Sequence, residues 1–400
     1  MVQDHHVLRD SRRHEVDALA LAPLQTGDIA IPSRETCIAG QLSRHAGAAA
    51  LRRWNGKMRR LRPVRSRLSL VLGAFSSGIL LYGISLLYGA TGSTRLPAIA
   101  AAIAGRSLDD PLLLAATILL AVGFGFKLAV VPFHMWTPDV YQGAPTSVTA
   151  FMAVASKAAS FGAFLRVFVE GLGSLKANWS AIFLLLCIAT LVLGNIVALV
   201  QTNIKRMLAY SSIAHAGYAL IGVVAAGVAG TQTGGTNGIA AVMLYLALYA
   251  FMTFGAFTIV AALRKGGLDG DEIEDFTGLA ARHPLAALLM LVFMVSLAGI
   301  PPTAGFIGKF YVFMAAVEAG LTWLAVLALV FAAISAYYYL RIIMVMYMRE
   351  PDALTAASPR LTMSPALSIV LACAVAGVVF FGLYPSPLVS LAGHAVLTFK

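Results

Sequence analysis

Long apolar stretches recur from about residue 69 to the end of the chain, separated by short polar or Gly/Pro-bearing segments. They fall at about 69–90, 111–132, 145–169, 178–201, 207–229, 238–263, 284–314, 322–347 and 366–392. A bilayer core of ~30 Å needs about 20 helical residues to cross it, and each stretch is long enough. Backbone groups in lipid must be satisfied within the segment, so each stretch predicts a helix. The pattern predicts an all-α polytopic membrane protein with nine spans. Residues 1–67 read differently. They are polar and Arg-rich with no spanning stretch, and the change near Leu68–Leu70 is abrupt. The division is therefore a basic polar segment, 1–67, and a transmembrane domain, 68–400.

Two of the spans look interrupted. In "GFGFKLAVVPFHMWTPDVYQG", Pro132 follows Lys127 by five residues, with Pro138 and Pro145 just beyond. In "SLAGIPPTAGFIGKFY", Gly299, Pro301, Pro302, Gly305 and Gly308 precede Lys309. Proline removes a backbone donor and clashes with the preceding turn. Broken backbone at membrane depth is tolerated only where protein or water satisfies it. Paired interrupted helices point to transporter-like internal repeats.

Composition agrees with a membrane class. The chain is 59% hydrophobic and 12% charged, with mean hydropathy +0.83, against about 25% charge in a soluble domain. The net charge of +11 is uneven: 13 Lys/Arg face 6 Asp/Glu in residues 1–67, and 16 face 12 in the rest. One set of loops carries Lys205, Arg206, Arg264, Lys265, Arg282, Arg341, Arg349 and Arg360, the other only Arg95, Arg106 and Lys176. Positive-inside bias places the first set and the N-terminal segment in the cytoplasm. Near their helix ends, Lys205 and Arg206 are expected to snorkel to the headgroups.

Other function classes find little support. The basic segment lacks zinc-finger spacing or an RNP-like aromatic pattern, so nucleic acid is not an expected partner. Cys37, Cys187 and Cys373 are far apart and form no metal or redox motif. The polar first 20 residues are unlike a secretory signal peptide. There is no GxSxG, HExxH or phosphate loop on the required strand–turn–helix context.

What remains is a small set of ionisable groups inside apolar spans: Lys127, Lys157, Lys309, His134 and His215. A charge in lipid is costly by several kcal/mol, so such residues face protein or water and mark ion or proton paths. Lys157 sits about twelve residues into its span among Ser156, Ala158, Ala159, Ser160 and Gly162, which suits close packing and leaves room for water. Lys127 and Lys309 lie beside breaks whose freed carbonyls can solvate an ammonium. His134 follows Lys127 by seven residues and would share its face if the helix continued. His215 follows Ser211 and Ser212 and reads either as a relay group or as a hydrogen-bonded core histidine. A lysine that gains and loses its proton as its surroundings change, together with histidine, makes a proton relay.

The strings "FKLAVVPFHMWTPDVYQGAPTSVTAFMAVASKAASFGAFLRVF", "GNIVALVQTNIKRMLAYSSIAHAGYALIG", "HPLAALLMLVFMVSLAGIPPTAGFIGKFYVF" and "SAYYYLRIIMVMYMREP" closely resemble the subunit N family of bacterial NADH–quinone oxidoreductase, respiratory complex I. The resemblance runs from about residue 70 to the end. "WTPDVYQGAP" separates it from sister subunits and from multisubunit cation/proton antiporters. It implies an antiporter-like, proton-translocating subunit with no redox cofactor of its own, the FMN, iron–sulfur clusters and quinone being in other subunits. It also implies other membrane subunits of complex I as partners, and a bacterial plasma membrane as location. Lys127 and Lys157 match central proton carriers; His215 matches a bridge toward Lys309, which serves the exit side. The family fold has fourteen helices with two inverted five-helix repeats, and the nine spans match its sixth to fourteenth. Five further helices normally precede residue 70, one bearing a glutamate that pairs with the lysine at Lys127. The expectation for residues 1–67 is therefore a shifted or misassembled upstream reading frame, with a genuine basic domain as the alternative. A subunit of a cation/proton antiporter and a non-functional fragment are the other readings.

Overall fold

A computed structural model describes residues 71–106, 110–229, 237–265, 270–350 and 363–396. The polar segment 1–67 with Cys37, the side chains of Arg264 and Lys265, and Arg360 lie outside the described residues. Among those described, eight helices are long and apolar enough to cross a membrane. In chain order the helices are α1 (Val71–Thr91), α2 (Leu96–Ile103), α3 (Pro111–Leu128), α4 (Trp136–Gly143), α5 (Thr146–Gly171), α6 (Lys176–Leu199) and α7 (Ile204–Ala229). They continue with α8 (Gly238–Lys265), α9 (Pro284–Ala298), α10 (Ala304–Glu318), α11 (Thr322–Met348), α12 (Pro365–Leu383) and α13 (Ser386–Val396).

Both suspected interruptions are real. α3 stops at Leu128, where Ala129 takes a left-handed conformation and its N–H returns to Gly125 and Phe126 carbonyls. The chain turns through 130–135 before α4 begins. α9 stops at Ala298 with Gly299 at φ +87°, which glycine adopts without the Cβ clash other residues meet. The stretch at 284–314 is thus two helices, α9 and α10. One expected span is corrected: 366–392 is two helices, because Pro385 forces Tyr384 out of the helical region (φ −132°, ψ 77°) and ends α12. The short helices α2 and α4 carry too few residues for periodicity to announce them.

α7 is the centre of the described structure, with nearly every residue from Ile204 to Gly227 buried. It packs against α6, α8, α10 and α4. The approach of α6 is close: a Cβ on Gly194 would come within 2.8 Å of the Ala214 backbone nitrogen. A helix buried all round needs no polar face, so the few polar groups on α7 are there for another reason.

Segments that charge bias assigns to one face meet in space. Asn203 and Glu272 form an antiparallel bridge, with Ile204 N–H donating to Asp271 O and Ile273 N–H to Thr202 O, both at 2.8 Å. Arg341 donates to the carbonyls of Leu199 and Gln201. The snorkelling expectation for Lys205 and Arg206 is wrong. Lys205 is 1% exposed, with its ammonium 3.2 Å from Asp271 and 3.3 Å from the Ala144 carbonyl. Arg206 pairs with Asp139 at 2.6 Å and reaches Gln142 at 3.2 Å. A tertiary carboxylate holds each cation, and Lys205 is buried in doing so. Asp139 and Gln142 belong to "WTPDVYQG", so part of that string serves to dock α4 onto the start of α7.

Candidate functional site

Lys127 occupies the last turn of α3 and is half-buried. Its ammonium reaches the Ser77 hydroxyl of α1 at 3.4 Å, a long contact. Other groups satisfy part of the break. Trp136 Nε1 donates to the Phe126 carbonyl at 3.0 Å, and its ring stacks on Phe126. Val130 N–H bonds Gly125 O, and Val131 N–H bonds the Thr190 hydroxyl at 3.0 Å. Because α3 ends at Leu128, the shared-face argument for His134 fails. His134 sits in the turn, half-buried, and its Nδ1 has no hydrogen-bond partner. It makes no hydrogen bond to the other candidates.

Lys157 is 4% exposed. It begins the second α-helical part of α5, directly after a π-helical turn, Met152–Ser156. Such turns recur at functional sites because they rotate the side chains that follow. The small neighbours do not surround it: Ser156, Ala158 and Ala159 are exposed, while Lys157 points inward. Its ammonium donates to the Ser212 carbonyl and, at 2.7 Å, to the Ser212 hydroxyl, which also accepts from Tyr249 at 2.9 Å.

His215, three residues further along α7, is 3% exposed and engaged at both nitrogens. Nδ1 meets the Tyr245 hydroxyl at 2.6 Å and Nε2 the Tyr339 hydroxyl at 3.1 Å. Tyr339 is bonded in turn to Ser211. A narrow crevice lined by Lys157, Phe161, His215, Tyr245 and Tyr249 joins the lysine to the histidine. Hydroxyls and imidazole are the groups that can accept one proton while releasing another.

Lys309, 4% exposed on α10, folds back to the end of α9. Its ammonium donates to Leu297 O at 3.1 Å and Ala298 O at 2.6 Å and lies 5.0 Å from the Tyr218 ring centroid. These are carbonyls that a helix end leaves without intrahelical donors. A cation is favoured at that end. A Cβ at Gly299 would come within 2.8 Å of Lys309 Cδ, so the glycine also makes room for the lysine.

Lys157, His215 and Lys309 thus gather around α7, while Lys127 and His134 lie apart at the first break. Sequence reading missed the tyrosines. Tyr245 and Tyr249 stand four apart on α8, a spacing that puts both hydroxyls on one face, and Tyr339 lies in the "YYY" run of α11. Polar residues at helical spacing inside apolar spans are the signal that would have found them.

A sequence model described as NADH:quinone oxidoreductase/Mrp antiporter, TM, matches residues 57–335. The chain belongs to that family. A curated relative, NADH-quinone oxidoreductase subunit N 2 of Rhizobium meliloti, is 52% identical over 323 residues, covering 81% of this chain and 64% of its own length. The chain therefore spans a little under two thirds of that relative. Among solved structures, a chain of respiratory complex I from Thermus thermophilus superposes with TM-score 0.65 at 38% identity, over 80% of this chain and 67% of that one. A chain of the Mrp complex from Dietzia sp. gives TM-score 0.72 at 24% identity, over 82% and 67%, a likeness of fold. The antiporter-like membrane fold is thus shared with both of these chains.

Proposed function

We propose that this chain is the proton-translocating subunit N of a bacterial NADH–quinone oxidoreductase, held in the plasma membrane beside the other membrane subunits of that complex. Lys157, His215 and Lys309 carry the proton across the middle of the subunit; Lys127 feeds Lys157, and His134 stands on the approach to Lys127. The observation that carries the reading is the run of buried groups around α7, where Lys157 and His215 are bonded to hydroxyls that can themselves pass a proton. Redox chemistry, with its FMN, iron–sulfur clusters and quinone, belongs to other subunits, and the long-range coupling drives protonation changes here.

The runner-up is a subunit of a cation/proton antiporter, which the Mrp-like fold accommodates. The R. meliloti relative, named as subunit N at 52% identity, favours the first reading. The test is Lys157→Ala in the full-length subunit within the whole complex, with proton pumping followed during NADH oxidation. The expected result is at least a ten-fold fall in pumping through this subunit, since a methyl group cannot hold the proton that general acid–base transfer needs. Unchanged pumping sinks the relay. Proton movement driven by a sodium gradient without NADH would favour the antiporter.

A further inference from the structure

Among the described residues, no hydrogen-bonded group joins His215 to Lys309. Both nitrogens of the histidine are engaged by Tyr245 and Tyr339, and the lysine's ammonium is engaged by the end of α9. The side chain that meets both is Tyr218, three residues after His215 on α7. Its ring stands edge-to-face with the imidazole, 5.9 Å between centroids at 71°. Lys309 Nζ lies 5.0 Å from the same ring's centroid. Tyr218 is 1% exposed, and its hydroxyl lies beside Asn195 and Ser335 without a well-formed hydrogen bond to either. Buried hydroxyls are ordinarily paired. This one leaves the ring positioned by packing against His215 and Phe313 and by the cation on its face.

We propose that the Tyr218 ring is a charge-sensitive valve on the His215-to-Lys309 step, an inference that rests on the relay reading above. An ammonium is attracted to the face of an aromatic ring, whereas a neutral amine is not. While Lys309 holds its proton, the attraction keeps the ring in place and shuts the step, so a loaded lysine neither returns its proton to His215 nor is followed by a second. When Lys309 releases its proton outward, the ring loses the cation. Held at its hydroxyl only by the loose approach to Asn195 and Ser335, it shifts, and water or the lysine itself reaches His215. Tyr218 is a positioning residue in this scheme: no bond to it forms or breaks.

The test uses the whole complex with its full-length subunit, reconstituted in vesicles. Protons pumped per NADH oxidised are measured, followed by the rate at which the gradient decays once NADH is exhausted. Tyr218→Leu and the longer, unbranched Tyr218→Met remove the ring. Each is expected to lower the pumping ratio and speed gradient decay by a factor of about 2 to 30, the population change a cation–π contact supports. Tyr218→Phe keeps the ring face and is expected to restore both towards wild type, which a merely structural hydroxyl would not predict. A gradient as tight as wild type in both the Leu and Met variants overturns the valve, as does a Phe variant as leaky as they are. Lys157→Ala, run in parallel, separates the two ideas. Full pumping there removes the relay itself, whereas lost pumping there with a tight Tyr218→Leu removes the valve alone.

Discussion

The two helix breaks place a lysine beside a ruptured ladder, but they treat it in opposite ways. At the first, several of the freed groups are satisfied without the lysine: the Trp136 indole takes Phe126 O, and Val130 and Thr190 close the turn. Lys127 keeps only a long contact to the Ser77 hydroxyl among the described residues and remains half-buried. At the second, the lysine is the solution. Lys309 caps two carbonyls of α9, is almost wholly buried, and lies over the Tyr218 ring. A lysine beside a broken helix is therefore not one motif. In one case the break supports itself and presents the amine; in the other the amine is part of the break.

That difference separates the variants. Lys309→Ala has the largest expected effect on stability. It leaves two buried carbonyls without a donor, at about 1–3 kcal/mol each, and opens a cavity. Relief of the ammonium's own desolvation offsets part of this, leaving a net loss of about 2 kcal/mol or more. Lys127→Ala removes one long contact from a half-buried site and stays within about 0.5 kcal/mol. Thermal inactivation midpoints of the two variant complexes check this, and equal shifts would break the comparison. Gly299→Ala comes next. It forces a Cβ into φ +87° and against the Lys309 side chain, costing about 1–2 kcal/mol from the backbone alone. Pumping should fall with it, because Lys309 is pushed off its carbonyls; a variant that melts earlier yet pumps fully would detach the lysine's position from its role. The smallest effect belongs to the first break. Ala129 holds φ +59°, and Ala129→Gly removes about 1 kcal/mol of that strain, a stabilisation set against the looser unfolded chain of glycine. The midpoint should rise slightly, and a clear fall would show that the Ala129 side chain packs in a way the backbone does not reveal.

Much of this was legible beforehand. Apolar runs of spanning length gave the long helices, and the Gly/Pro clusters gave both interruptions. Proline and glycine act through the local chain, so their effects can be read locally. The failures share a cause. Lys205 and Arg206 were read as snorkelling cations, yet Asp271 and Asp139 reach them from 66 and 67 residues away. His134 shares the Lys127 face only if the helix continues, and it ends where Ala129 turns left-handed. The small residues beside Lys157 were read as its surroundings, whereas they point away from it.

By itself, the sequence determined which segments enter the membrane, where two of them break, and which few ionisable groups lie among apolar neighbours. Burial cost and backbone satisfaction act residue by residue, and that is enough. Which partners those groups find was decided only by tertiary structure. Ser212 under Lys157 lies 55 residues away and the tyrosines on His215 lie 30 and 124 away, while the end of α9, 11 residues before Lys309, reaches it only because the chain reverses between the two helices. A proton passes only between groups close enough to hydrogen-bond, and no periodicity in a single helix records that distance.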